Sequence, residues 1–124
     1  MTVEMAAHRP TIVPLFISGN VSTGEKLIWH APVSGRVYAV EGSVGTAPAS
    51  TAILVDVEIN GTSVFAATGD RLTVADGATE GVAGTIGGEG KFAAGDRISI
   101  DVDQIGTGTT GANLAACLVV VLDY

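Results

Sequence analysis

The chain has 124 residues, thirteen acids against six bases for a net charge of −7, and a composition that is 47% hydrophobic but only 5% aromatic. That length fits one domain with one core, and so acidic a surface is repelled by phosphate backbones and anionic lipid, so neither nucleic acid nor membrane is an expected partner. A lone cysteine, Cys117, excludes an internal disulfide and argues against a cysteine-built metal site.

Residues 1–10 show no periodicity and lack the apolar stretch of an export signal. Pro10 and Pro14 flank Thr-Ile-Val, poor helix material that suits an extended segment or an edge strand. Residues 1–14 are therefore expected to form an extended arm, ordered against a neighbour, and residues 15–124 a single β-sandwich domain. From Leu15 onward short strands recur between turn signals. Residues 15–18 end at Gly19-Asn20, and residues 25–30 end at the turn over 31–35. Residues 36–44 follow, with Val37, Ala39 and Glu41 marking the alternation, and a Pro-bearing loop spans 46–50.

The clearest pattern lies at 53–59. Ile53, Val55, Val57 and Ile59 alternate with Leu54, Asp56 and Glu58, which gives a strand one apolar and one wet face. Asn60-Gly61 then supplies the two positive φ angles of a type I′ turn, folding the chain back as a hairpin into 62–65. Residues 71–74 form a short strand, and the six glycines within 75–90 predict a loop with at most a short strand around 82–86. Ala94-Gly95-Asp96 predicts a tight turn with Gly95 at positive φ, after which Ile98, Ile100 and Val102 alternate with Ser99, Asp101 and Asp103.

Residues 113–123 are apolar on both faces, which makes that strand central or presses it against another subunit. Leu118, Val120 and Leu122 are the side chains expected at such a subunit interface, and Cys117 is expected to act as a small buried hydrophobe. The apolar run 114–122 is about half the ~20 residues that a membrane-spanning helix needs. About eight strands and no significant helix define an all-β antiparallel sandwich, jelly-roll-like.

Residues with chemical potential are few. Asp101 and Asp103 sit about 7 Å apart on one strand face, and with Asp56 and Glu58 they offer oxygens of the kind calcium takes. They lack the kinked glycine loop of a dedicated site, so a solvated outer face is the simpler expectation. No carboxylate is set in an apolar pocket opposite a second one, as glycoside hydrolysis requires. His8 and His30 have no partners placed for a triad or a metal. The run GTIGGEG at 84–90 lacks the Lys-Ser/Thr and following helix of a phosphate loop. Trp29 and Tyr38 are candidates for a small binding face, but the Leu27–Trp29 alternation makes core the simpler expectation for Trp29. No catalytic, cofactor or metal residue is assigned, and no enzyme activity is expected.

Gly42-Ser43-Val44-Gly45-Thr46-Ala47-Pro48 precedes Ile53-Leu54-Val55-Asp56-Val57, Asn60-Gly61-Thr62, Ala94-Gly95-Asp96 and Asp101-Val102-Asp103-Gln104-Ile105-Gly106. With FISGNVSTG at 16–24, these blocks resemble a family of small phage virion proteins carrying S-V-G-T-A-P, L-I-V-D-V, N-G-T, A-G-D and D-V-D-Q-I-G motifs. The arm lies outside the likeness. The resemblance implies a virion structural β-sandwich, a homotrimer made in the host cytoplasm and without catalytic residues. The resemblance does not separate head from tail. A short, self-contained chain without fibre repeats or coiled-coil heptads favours a decoration or cement protein bound to the major capsid protein on the head exterior, with Val3, His8, Arg9, Pro10 and Ile12 of the arm contacting the shell. The alternative that the resemblance leaves is a tail fibre or minor tail module that binds a host receptor or glycan.

Overall fold

A computed structural model describes residues 8–123, which carry ten β-strands and no α-helix. In chain order they are β1 (His8–Asn20), β2 (Gly24–His30), β3 (Gly35–Thr46), β4 (Ile53–Ile59), β5 (Thr62–Ser63), β6 (Leu72–Val74), β7 (Gly81–Val82), β8 (Lys91–Phe92), β9 (Arg97–Gln104) and β10 (Ala112–Asp123). Single 3-10 turns at Thr68–Asp70 and Gly88–Gly90 punctuate the long loops.

Two antiparallel sheets face each other. One runs β1-β10-β3-β8; the other runs β2-β9-β4-β6-β7, with β5 paired to β4. The pairings nest: β1 with β10, β2 with β9, β3 with β8 and β4 with β6. Nested pairs wrapped across two sheets are the jelly-roll arrangement, the fold class that the turn spacing implies.

Between the sheets lies an aliphatic core. Ile53, Val55, Val57 and Ile59 point into it from β4, and Ile98, Ile100 and Val102 from β9, as their alternation requires. The hairpin turn forms as expected, with Asn60 at φ 51° and Gly61 at φ 89°. Gly95 takes φ 87° in the turn before β9. There the Ala93 N–H donates to Asp96 Oδ2 at 2.8 Å, which holds the Asp96 carboxyl below the usual range.

Four expectations need correction. Residues 8–14 are not a separate arm: they are the first half of β1, in register with β10 from His8↔Asp123 through Pro14↔Cys117. β1 is an edge strand, the position where a strand tolerates proline, because the missing N–H falls on the open side. In β3 a bulge intervenes, since Val119 pairs with Ala39 but Val120 pairs with Val37. The extra residue shifts the phase, so Val37 and Val40 both face the core while Tyr38 faces out. Lys91-Phe92 is a short strand, β8, where the sequence suggests only the approach to a turn.

The fourth correction concerns β10. Leu118 and Val120 are 0% exposed and Leu122 3%, all within the sandwich core. They are not free to form a subunit interface. Burying such a side chain is worth about 1.5–3 kcal/mol, and here the chain's own second sheet collects that stabilisation. β10 is the central strand because it lies between β1 and β3, and its other face supplies the surface described next.

Candidate assembly face

The outer face of the β1-β10-β3-β8 sheet is built from the alternate residues of three long strands. Register fixes its rungs: Pro10 beside Val121; Ile12 beside Val119 and Ala39; Pro14 beside Cys117 and Glu41; Phe16 beside Ala115 and Ser43. Most of these side chains are apolar, yet Ile12 is 54% and Phe16 63% exposed. A solvated sheet face normally alternates to polar residues at these positions. A contiguous apolar face of this kind marks an interaction surface.

Part of this face is sunk into a trough of about 1230 Å³. Ala115 and Cys117 lie on its floor, Pro14 and Phe16 on one side, and Tyr38 and Ile86 on the other. The far wall is the segment between β6 and β8, which includes β7, and backbone bonds hold it in place. Val44 N–H donates to Thr79 O at 2.8 Å, Ala66 N–H to Thr85 O at 3.1 Å, and Gly87 N–H to Val64 O at 2.9 Å. The glycine-rich segment is thus a tied-down wall. Cys117 sits half-buried on the floor, with its thiol pushed up by burial and by Glu41. It belongs to the outer face and not, as expected, to the core.

At one end of the trough, Arg36 and Lys91 stand directly opposite each other on β3 and β8. The Arg36 guanidinium lies 5.6 Å from the centre of the Tyr38 ring, a cation–π contact. No ion pair joins either cation to a carboxylate among the described residues.

The outer face of the other sheet is its chemical opposite. Glu58 and Asp56 on β4, Asp101 and Asp103 on β9 and Glu25 on β2 share it, with Asp56 and Asp101 in cross-strand register. Asp56 departs from expectation, being 1% exposed. Its Oδ1 accepts from the Val57 N–H at 2.8 Å and from Ser63 Oγ at 2.7 Å, while Arg71 Nε approaches Oδ2 at 3.6 Å. Arg71 Nη1 also reaches Asp103 at 3.1 Å. Arg97 pairs with Glu25 at 2.6 Å. Burial raises the carboxyls of Glu58, Asp101 and Asp103, and mutual repulsion adds to the rise. Among the described residues no cluster of His, Cys, Asp and Glu is arranged to hold a metal ion.

The remaining residues singled out in the sequence scatter. Pro10 and Ile12 lie on the apolar face, and Arg9 pairs with Leu122 along β1. Val3 and Tyr124 lie outside the described residues. His30 is exposed at the end of β2. Trp29 is half-buried and packs edge-on against Phe92 with ring centres 5.9 Å apart. Blocks 42–48 and 101–106 come together at one end of the sandwich, where Gln104 Nε2 donates to Ala52 O at 2.8 Å and Thr51 Oγ1 to Ile105 O at 2.8 Å. Asn60-Gly61-Thr62 and Ala94-Gly95-Asp96 lie at the opposite end. The first pair of blocks has one evident task, to stitch the loop after β3 to the loop after β9. Sequence reasoning missed the outer residues of β10, Ala115, Val119 and Val121; the signal was an apolar strand with no polar phase.

No helix among the described residues is long and apolar enough to cross a membrane. No protein-family model matches this chain, and neither does any curated protein or solved structure.

Proposed function

We propose that this chain is a virion structural protein that decorates the outside of a phage head as a homotrimer and stabilises the shell. The observation that carries this reading is the contrast between its two outer faces. One sheet turns an apolar surface outward and the other an acidic one. A subunit with one adhesive and one strongly hydrated side is suited to lie flat on a partner. The motif blocks that resemble phage virion proteins support the same reading.

In this arrangement the rungs Pro10–Val121 and Ile12–Val119 face the major capsid protein, and the acidic face looks into solvent. Stabilisation is linkage: a subunit that binds assembled shell, and not separated capsid protein, shifts the equilibrium toward the shell. The tail-module alternative has less to stand on, because Trp29, its best aromatic platform, is engaged with Phe92.

The test is co-sedimentation with phage heads stripped of accessory proteins. Saturable binding and a higher temperature of head disruption are expected, both lost in Ile12→Lys while its β circular-dichroism spectrum is kept. Failure of the intact protein to pellet with heads contradicts the reading.

A further inference from the structure

We infer that β3 between Val37 and Gly42 is an acceptor slot for a short extended segment of the shell protein, which joins the β1-β10-β3-β8 sheet as an added strand. The identity of that partner rests on the decoration reading above; the slot itself rests on backbone geometry.

β3 meets the far wall of the trough only at its two ends. Gly35 and Arg36 pair with β8, and Ser43 bridges to Glu80. Between those points β3 runs through six residues, 37–42, while the wall has ten, 81–90. The longer side bows away. A Cβ placed on Gly81 would lie 2.9 Å from Gly42 O, and one on Gly90 3.6 Å from Val37 O, so both ends are pinched. One on Gly88 would meet nothing within 4 Å.

The bow leaves backbone groups without partners. The wall turns its own hydrogen bonds to the other sheet: Gly84 N–H donates to Asp70 O at 2.8 Å, and Gly81 and Val82 pair with β6. Among the described residues no backbone hydrogen bond runs from residues 38–41 to the wall. Alternate residues of an antiparallel strand aim their N–H and C=O groups to opposite sides, and β10 takes only one side of β3. The other side is a template for an incoming strand, which lies in from the outer face and rises out at the pinched ends.

Charge and lining say which strand fits. The β3 bulge puts Arg36 and Glu41, five positions apart, on the same exposed face. Lys91 stands beside Arg36, and Glu80 borders the slot at the Glu41 end. One end is therefore doubly positive and the other doubly negative. Val37, Val40 and Ile86 line the space between. A complementary segment carries an acid and a base four positions apart on one face, about 13 Å, with apolar side chains between them pointing inward. Phe16 borders the same trough, so a subunit seated by its apolar face brings the slot against the shell.

The test uses a capped Glu-Val-Thr-Val-Lys peptide and a copy N-methylated at its three central residues. Exchange of the backbone amides in 37–42, followed by mass spectrometry, should slow about tenfold with the first peptide and stay unchanged with the second, which keeps the charges but lacks the donors. Arg36→Glu with Lys91→Glu, both on exposed residues, should weaken the first peptide about tenfold, the scale of two exposed ion pairs. Equal protection by both peptides, or none at millimolar concentrations of the first, overturns the slot. Stripped phage heads then test the partner: the first peptide should release bound protein and the methylated one should not. Binding to heads that saturating peptide leaves untouched overturns the shell protein as donor. A protein that ignores heads yet is protected by the peptide sinks the decoration reading and leaves the slot standing.

Discussion

Arg71 closes over Asp56. Its Nε stands 3.6 Å from a carboxylate that is almost wholly buried, while its Nη1 reaches out 3.1 Å to Asp103. Nε itself makes no hydrogen bond. This one side chain connects the loop after β5 to both central strands of the acidic sheet. Without it, Asp56 would keep its two hydrogen bonds but lose its counter-charge. Arg71→Ala is therefore expected to cost about 3 kcal/mol, the scale of a broken buried ion pair. Chemical denaturation checks it. Asp56→Asn in the same background should recover part of the loss, because the neutral amide needs no cation.

The same sheet predicts an unusual response to pH. Glu58, Asp101 and Asp103 titrate above their ordinary values, chiefly through burial. Repulsion from neighbouring carboxylates, Asp56 among them, adds to the rise, while the Ser99 hydroxyl opposes it at Asp101 and the Arg71 charge at Asp103. An acid whose folded pKa is raised binds its proton more readily in the native state. Stability contributed by these groups therefore grows as pH falls from neutral through their raised values. Asp96 acts in the opposite sense, with a lowered value whose contribution is lost only at more acid pH. Melting temperature should rise as pH falls from neutral toward the ordinary carboxylate values near about 4 and fall again below them. Asp101→Asn, which can still accept the Ser99 hydroxyl, should flatten the rise.

Leu118→Ala separates core from interface. The side chain is wholly buried between the sheets, so truncation should cost about 3 kcal/mol in denaturant unfolding. Phe16→Ser, on the outer face of the same sheet, should change monomer stability by no more than about 0.5 kcal/mol. Phe16→Ser should nevertheless lower the mass measured by light scattering at a fixed concentration, and Leu118→Ala should not while it remains folded.

Gly61→Ala isolates a backbone effect. Gly61 has φ 89° and open space where a Cβ would sit. Strain in the left-handed region is then the only cost, about 1–2 kcal/mol. A loss near zero in thermal unfolding would mean that the hairpin relaxes into another turn.

Where local pattern and tertiary placement agree, the fold is legible from residues alone. β4 and β9 alternate cleanly, and Asn60-Gly61 and Ala94-Gly95-Asp96 turn as their residue types demand. The missed features all depend on partners distant in sequence. The facing of β10 is invisible in its own residues, because an apolar run has no phase until β1 and β3 pair with it. The β3 bulge is set by that same pairing. Asp56 reads as a wet residue beside Glu58 until Ser63 and Arg71, seven and fifteen positions on, fold over it. The prolines of β1 mark an edge strand or a free arm equally well, and only the register with β10 decides.

The proposed orientation sets the apolar face of the β1-β10-β3-β8 sheet toward a phage shell and the acidic face toward solvent. Electron cryomicroscopy of heads bearing this protein measures that orientation directly. Three-fold clusters on the head exterior are expected, with Ile12 against the capsid surface and Asp101 facing out. Density for the protein at the tail tip, or on the head with the acidic sheet against the shell, would contradict it.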